Sequence, residues 1–532
     1  MSGKLRKLRG AAMALAAVGM ISAAATSAMA QPAPLDLYGP KDAKAQRGGT
    51  LTFGSLVEPP GMDPFHQGAD ARIRFTVVVY QGLYYEAPNG QAMPLLAESH
   101  TISPDGLVYT VKLRKGVKFH SGQTMTSKDV AYSFNYLRDS KNGSPGAADL
   151  SLVTAIDAVD DDTIRITLSR PNASLPMTLG NKYGAVVPAG YFDAADAKQK
   201  MNQASVGTGP FKLAEFKPNS NMVLVRHDDY WEQGAPYLDR INVQFVPNST
   251  ALVVALRNKR TDLAILTRPQ DIAQVESAPG LVVERWPSLN QKSIDLGSEL
   301  EQLADARVRR AIALGIDKAE ILKASAGSNG KVIGTIVADM QESWGVPLAD
   351  LPNQKPDIEA AKKLLAEAGK GAGFKLPLVT INGYEWMDPA AVTLKQQLAR
   401  IGVDVEIQKV DLGVWINNFR TKKMGFTFND WGTQPDPHLL YYRHFRSAPE
   451  GADFRNWKNA KADALLDQGR GETDAARRKA AYAAFQKLIA EEVPTIMLFS
   501  ADNVTVRSEA VQNYVQHGAG WYYGLARAWL KR

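Results

Sequence analysis

The chain contains no cysteine among its 532 residues. Without cysteine there can be no disulfide bond, thiolate metal site, iron–sulfur cluster, cysteine nucleophile or lipid-attachment cysteine. Histidines are few, seven in all. None of them lies in an H-E-x-x-H motif of the kind that holds zinc on a helix. We therefore expect neither a metal nor a cofactor.

Motifs that would carry a reaction are also missing. There is no G-x-S-x-G elbow for a serine hydrolase and no G-x-x-x-x-G-K-[ST] loop for phosphates. Residues 328–331, "SNGK", match S-x-x-K, but the S-D-N and K-T-G motifs that accompany it are absent. These absences favour a protein that has no catalytic residue and is not an enzyme. An exported hydrolase remains the alternative from another class.

Charge gives little indication of a polyanionic partner. The formal net charge is +7, and Lys4, Arg6, Lys7 and Arg9 supply four of those charges within the first ten residues. The rest of the chain is thus close to neutral for its size, and no Lys/Arg stripe runs along it. We expect no nucleic-acid partner.

The N-terminus has the pattern of a secretory signal peptide over residues 1–30. The basic start "MSGKLRKLRG" precedes the apolar run "AAMALAAVGMISAAA", and Ala28 and Ala30 stand in A-x-A spacing. A membrane anchor is the alternative, but the run is shorter than the roughly 20 apolar residues that span a bilayer. The pattern predicts an exported, soluble protein.

Local patterns predict an α/β protein, and the length predicts two or three domains. "TSKDVAYSFNYL" has the capping-box spacing of a helix start, with Thr126 and Asp129. "DGLVYTVKLRKGVKF" resembles a hairpin that turns at Lys115 and Gly116. The helical pattern "VTLKQQLARIG" precedes the alternating strand "VDVEIQKV", an order that is typical of a parallel or mixed sheet.

Segments spread over nearly the whole chain resemble, in this order, the family 5 solute-binding proteins of bacterial ABC importers, the dipeptide- and oligopeptide-binding group. The matching stretches are "LAESHTISPDGLVYTVKLRKGVKFHSGQTMTSKDVAYSF", "VGTGPFKLAEF", "DDYWEQGAPYLDRI", "DARVRRAIALGIDKAEI", "AAKKLLAEAG" and "QLARIGVDVEIQ". The resemblance implies an α/β, two-lobed periplasmic-binding-protein fold of class II type. Its mixed sheets would be flanked by helices, and it would carry an additional inserted domain.

The resemblance also implies where the domains lie. Lobe I would comprise residues 31–80, 206–288 and 500–532, the inserted domain residues 81–205, and lobe II residues 289–499. The lobes would close on a ligand by a hinge, because only the closed form contacts the ligand from both sides. The implied protein is a periplasmic monomer that binds a peptide or small molecule and delivers it to ABC permease subunits in the inner membrane.

Three stretches would line the cleft in such a protein: the loop after the first strand, the segment after "GFKLPLVT", and "DWGTQPDPH" (residues 430–438). Aromatic walls suit ligands of variable side chain, because they offer apolar area without demanding one hydrogen-bond pattern. The implied ligand-binding residues are Glu58, Met62, Tyr384, Trp386, Met387, Trp431, Thr433, Gln434 and Asp436.

One departure from the family pattern concerns the ligand. Peptide binders of this family carry an aspartate shortly after the Trp-Gly region that pairs with the ligand's α-ammonium group, and here Gln434 takes its place. Either Asp436 substitutes for it, or the ligand is not a peptide with a free amine. A metal-chelate, opine or oligosaccharide receptor is thus an alternative; a chelate or haem receptor would turn His438 or His444 to the cleft. A chaperone-like role is a further one.

Overall fold

Three large β-sheets organise the part of the chain that the computed structural model describes. It describes residues 41–66, 74–87, 91–180, 183–336, 340–432, 436–449, 451 and 454–532, with the backbone alone at 341 and 342. The predicted signal peptide lies outside these ranges. Within them, no helix is long and apolar enough to cross a membrane.

The first sheet has seven strands in the order β12-β19-β11-β1-β10-β9-β8. Strand β1 is parallel to β10 and to β11, while β8, β9 and β19 each pair antiparallel. Burial of Leu51 and Phe53 in β1 follows from side-chain alternation along a strand. The bounds are β1 Thr50–Ser55, β8 Phe211–Lys217, β9 Asn221–Arg226, β10 Arg240–Phe245, β11 Leu263–Leu266, β12 Leu281–Trp286 and β19 Asn503–Ser508.

The second sheet has six strands in the order β14-β18-β13-β17-β15-β16. The parallel pair β15 and β16 is joined by a helix, as predicted from the order of helix, glycine and strand. Opposite faces of this sheet contribute to two different hydrophobic cores. The bounds are β13 Gln291–Leu296, β14 Lys331–Val332, β15 Phe374–Ile381, β16 Val403–Val410, β17 Phe426–Trp431 and β18 Thr495–Ser500.

The third sheet is antiparallel, with four strands in the order β4-β5-β7-β6, and it corrects one sequence prediction. Strand β5 pairs with β4 on one side and β7 on the other, so its hairpin turns before it, near Gly106, and not after it at Lys115 and Gly116. Both edges of β5 are occupied, which leaves no place for the predicted partner. The bounds are β4 Ala97–Ile102, β5 Val108–Leu113, β6 Val153–Asp160 and β7 Thr163–Leu168.

Two short pairs, β2 Tyr84–Glu86 with β3 Ala92–Pro94 and β20 Val511–Gln512 with β21 Trp529–Leu530, complete the strands described. The capping box predicted at Thr126 and Asp129 is present. The helices are Ser127–Arg138, Leu175–Thr178, Ala197–Lys200, Ser249–Arg257, Pro269–Val275, Ala306–Leu314, Lys318–Ala326, Gln341–Trp344, Ile358–Glu367, Met387–Ala399, Leu412–Arg420, Arg443–Phe445, Ala460–Gly471 and Ala475–Glu492, with a π-helical turn at His438–Tyr442.

Candidate functional site: a cleft between two sheet edges

The chain passes between the seven-stranded and the six-stranded sheet twice. Residues 287–290 lead from β12 to β13, and residues 501–502 lead back from β18 to β19. The lobe boundaries predicted at 288/289 and 499/500 fall within or beside these two segments. Because each segment is short, the two segments are the candidate hinge for a relative movement of the two sheets.

Both sheets turn the carboxyl ends of parallel strands towards these segments. Strands β1, β10, β11 and β12 run in one direction and end at one edge of the first sheet. Strands β15 and β17 end at the edge of the second sheet where β13 begins. The crevice outside the carboxyl ends of strands is the usual ligand position in open α/β sheets. We therefore take the cleft between these edges as the candidate site.

Within the described residues, the two sides of the cleft touch at several places, one of which is the hydrogen bond from Nε of Arg285 to Oδ1 of Asn329 at 2.8 Å. Arg268 directly follows β11, and its Nε lies 3.4 Å from Oε2 of Glu385, which follows β15. The backbone N–H of Ala173, just beyond the four-stranded sheet, donates to the carbonyl oxygen of Arg470 at 2.9 Å. The structure is thus in a conformation in which the two sides are in contact.

On the second-sheet side, Trp386 stands in a group that we call the edge cluster: Trp386, Phe428, Phe499, Lys292 and Asp430. The Trp386 ring packs edge-on against Phe428 and Phe499, with ring centroids 5.2 and 5.9 Å apart. Lys292 and Asp430 are direct cross-strand partners and form an ion pair with Nζ and Oδ2 2.5 Å apart. The edge cluster therefore combines an aromatic wall with two partly accessible opposite charges.

Among the described residues, none accepts a hydrogen bond from the indole N–H of Trp386, although its nitrogen is inaccessible to water. Nζ of Lys292 lies 5.5 Å from the centroid of the same ring. A buried donor that bonds to nothing is costly, so an acceptor supplied by a ligand or a water would stabilise this site. A polar ligand could accept from the indole while its apolar part covers the ring.

The neighbours of Trp386 in sequence differ in exposure. Tyr384 is half-buried, Glu385 is exposed, and Met387 begins a helix and has no exposed surface. Met387 belongs to the core between the second sheet and its helices. The structure thus gives Met387 a packing role, whereas Tyr384 and Trp386 stay accessible; their ligand contacts remain predictions.

Trp431 lies on the opposite face of the second sheet from the edge cluster, because it directly follows Asp430 in a strand. Only 3% of its surface is exposed. Its ring packs on His444, with centroids 4.1 Å apart, and the guanidinium carbon of Arg455 lies 4.6 Å from its centroid. This arrangement accounts for Trp431 by packing, and its predicted ligand contact remains untested.

Asp436 is buried and already paired. Its carboxylate accepts from Nη2 of Arg478 at 2.9 and 3.0 Å and from the backbone N–H of His438 at 2.7 Å. Burial acts against the charge of Arg478, but charge interactions and hydrogen bonds with Asp436 and Tyr482 together hold the arginine pKa above its ordinary value. A ligand ammonium could bind Asp436 only by displacing this arginine, which argues against Asp436 as the substitute carboxylate.

On the first-sheet side, the two predicted residues are engaged by their own surroundings. The Glu58 carboxylate accepts from the backbone N–H of Asn219 at 2.9 and 3.0 Å. Met62 has no exposed surface, and its backbone N–H donates to Oδ1 of Asn202 at 2.6 Å. Both contacts fix the loop after β1; ligand contact by either residue remains a prediction.

Thr433 and Gln434 lie outside the described residues, so the structure adds nothing to their predicted roles. Sequence reasoning missed Lys292, Asp430 and Arg268. Asp430 could have been suspected, since it immediately precedes Trp431. Lys292 could not, because its ion pair joins residues 138 positions apart.

The described ranges contain no group of three or more histidines, cysteines and carboxylates that could hold a metal. Burial lowers the pKa of His438 to about 3, although the carboxylate of Asp436 acts in the opposite direction. His444 packs against Trp431 on the face away from the edge cluster. Neither histidine is thus placed as the chelate hypothesis requires.

Comparisons with known proteins agree with this architecture. Residues 91–453 match the family described as bacterial extracellular solute-binding proteins, family 5. A di/tripeptide-binding protein of Pseudomonas aeruginosa is 27% identical over 84% of this chain and 89% of its own length.

Solved structures also match. The periplasmic binding protein DppA of Helicobacter pylori, in complex with the peptide STSA, is 27% identical with a TM-score of 0.77 over 92% of this chain and 99% of its own. The binding protein AgaA of A. tumefaciens R10, in complex with agropinic acid, is 26% identical with a TM-score of 0.77 over 91% and 99%.

Proposed function

Because the chain belongs to the bacterial extracellular solute-binding proteins of family 5, we propose that it is the substrate receptor of an ABC importer. It captures a peptide or a similar small polar solute between its two lobes and is not an enzyme. The observation that carries this proposal is the cleft itself. Two sheets face each other with their carboxyl edges, joined by residues 287–290 and 501–502 and contacting across the gap.

The same proposal places the protein in the periplasm as a monomer, exported by residues 1–30. The closed form is what the permease subunits would recognise, because only closure brings surfaces of both lobes into one fixed arrangement. Deletion of residues 1–30 should leave the protein in the cytoplasm. Fractionation of cells that express the full and truncated chains tests this, and export of the truncated chain would refute it.

The ligand is proposed to be recognised without an ammonium-binding carboxylate. Gln434 stands where the peptide binders of the family carry aspartate, and Asp436 is held by Arg478. The solved relatives bind a peptide in one case and agropinic acid in another. A peptide ligand would therefore bind equally well with a free or an acetylated N-terminus, and an opine is the second candidate.

The experiment is mass spectrometry of small molecules released from the denatured protein, followed by thermal-shift titration. Saturation at a hundred times Kd adds about 2.7 kcal/mol, which raises the Tm of a chain of this length by about 2–3 °C. A tripeptide and its N-acetylated form are the matched pair, and equal shifts are expected. A shift with the free amine alone would overturn the recognition mode, and no shift with any peptide would refute a peptide ligand. Agropinic acid, titrated in the same way, tests the opine candidate.

A further inference from the structure

Arg268 is held in position by its own lobe. Its Nη1 donates to Oγ of Ser249 at 3.0 Å, and its Nε lies 3.4 Å from Oδ2 of the buried Asp271. Two anchors on the same side of the cleft fix where the guanidinium points, so little side-chain entropy is lost when a further partner arrives.

Glu385 is the partner from the other lobe. It stands between Tyr384 and Trp386, in the turn between β15 and the helix Met387–Ala399, and 67% of its side chain is exposed. Its backbone is held to the second sheet because Trp386 packs on that sheet. The ion pair of Glu385 with Arg268 can therefore form only when the two lobes approach.

We propose that Glu385 and Arg268 form an electrostatic latch that favours the closed conformation before any ligand binds. The pair is broken by opening, whereas the anchors of Arg268 on its own lobe are not. An exposed ion pair of this kind shifts the ratio of closed to open molecules by about two- to fivefold. The inference rests on the proposed function in one respect, that closure is the movement by which this protein captures its ligand.

The position of Glu385 adds a consequence for binding. The residues on either side of it, Tyr384 and Trp386, are the accessible aromatic groups of the candidate site. A ligand that orders this turn also orders Glu385, so latch formation and occupancy support each other. The apparent affinity for a ligand is reduced when only a fraction of the molecules is closed. A latch that raises this fraction therefore brings the apparent affinity nearer to the intrinsic affinity of the closed form.

The test uses the absence of cysteine in the chain. Val254→Cys and Val392→Cys place one label on a helix of each lobe, at sites where the side chains are 52% and 53% exposed. Inter-label distances are measured on the ligand-free protein by double electron–electron resonance. Measurements at about 0.1 M and about 1 M NaCl span screening lengths of about 10 and 3 Å.

In the labelled protein, the short-distance population should fall when the salt concentration rises. Glu385→Gln should lower the ratio of the short-distance to the long-distance population two- to fivefold at low salt and remove the salt dependence. Glu385 is the residue to change, because replacing Arg268 would leave the buried Asp271 without its partner. Glu406→Gln is the matched control, since Glu406 pairs with Lys375 inside one lobe, with Oε1 and Nζ 2.6 Å apart.

Identical distance distributions for the Glu385→Gln and Glu406→Gln proteins would overturn the latch. The result is independent of the ligand. A latch without any detectable solute binding would refute the proposed function alone, and normal solute binding with no effect of Glu385→Gln would refute the latch alone.

Discussion

Strand β13 carries two ion pairs on its two faces, and their surroundings differ. Asp295 bonds to Arg455 at 2.6 and 2.8 Å, and both side chains are essentially without exposed surface. Lys292, three residues earlier, pairs with Asp430 at the cleft edge, with side-chain exposures of 13% and 26%.

The buried pair is saturated with polar partners. Asn429 and Thr495 donate to the Asp295 carboxylate at 2.8 and 2.9 Å, while three aromatic rings surround the Arg455 guanidinium, at 4.1 to 4.6 Å from ring centroid to guanidinium carbon. Within the described ranges no such shell surrounds the edge pair, which borders the proposed cleft. The difference indicates that one pair maintains the lobe, whereas the other has room to exchange partners with a ligand.

The largest effect is expected when the buried pair is broken. Arg455→Met leaves the Asp295 carboxylate buried without its counter-charge, which should lower the free energy of unfolding by about 3–5 kcal/mol. Urea-induced unfolding monitored by tryptophan fluorescence measures the loss. The double variant Asp295→Asn/Arg455→Met should recover part of it, because no charge is then left uncompensated. A loss below about 1 kcal/mol would contradict the maintaining role.

Lys318 sharpens the comparison, because it is a buried amine that contacts no carboxylate among the residues that the structure describes. Its Nζ donates to the carbonyl oxygen of Ile333 at 3.1 Å and to Oε1 of Gln354 at 2.6 Å. Lys318, Gln354 and Thr335 line a small cavity. Burial lowers the pKa of Lys318 to about 7 from its ordinary 10.5. Arg455 keeps its charge by pairing, whereas Lys318 relieves the cost of burial by losing its proton near neutral pH.

Stability should therefore rise with pH across the window between these two pKa values. In that window the unfolded chain binds the proton that folded Lys318 has lost, so raising the pH favours the folded state. From pH 7 to about pH 9 the gain is about 2 kcal/mol. Lys318→Met should remove it, as measured by urea unfolding at both pH values, whereas Lys323→Met, an exposed position on the same helix, should not. A wild-type gain equal to that of Lys318→Met would refute the assignment.

The sequence predicts more of the fold than of the candidate site. The helix starting after Thr126 and the strand Val403–Val410 were predictable, because capping and alternation depend on neighbours in sequence. The prediction of a hairpin at Lys115 and Gly116 was wrong, because β4 and β7 pair with the two edges of β5 and leave no edge for a following strand. Of the edge cluster, the sequence predicted Trp386 but not Lys292 or Asp430. The cluster joins segments near residues 292, 386, 430 and 499, and no local sequence pattern connects these segments.

Breaking the edge pair of Lys292 and Asp430 should affect ligand affinity more than stability, whereas breaking the buried pair affects stability. Lys292→Met is expected to change the free energy of unfolding by no more than about 1 kcal/mol, because the pair is partly solvated. If Lys292 binds the ligand, loss of a hydrogen bond to a charged group weakens affinity by about 10- to 100-fold. Isothermal titration with the solute that raises the Tm measures this. Lys375→Met, in a solvent-exposed pair with Glu406 on the same sheet, is the control that should leave affinity unchanged.

The smallest effect concerns a single N–H group and separates packing from recognition within the edge cluster. Trp386→Phe keeps an aromatic ring against Phe428 and Phe499 but removes the indole donor that has no partner among the described residues. If the ligand supplies the acceptor, affinity falls by about two- to tenfold. The stability of the ligand-free protein should change little, because removal of an unsatisfied buried donor offsets the packing that is lost with the smaller ring. Titration calorimetry and urea unfolding on the same preparation distinguish the two roles. Unchanged affinity together with lower stability would make Trp386 a packing residue. The edge cluster would then maintain the lobe, as the buried pair of Asp295 and Arg455 does, and would not bind the ligand through this residue.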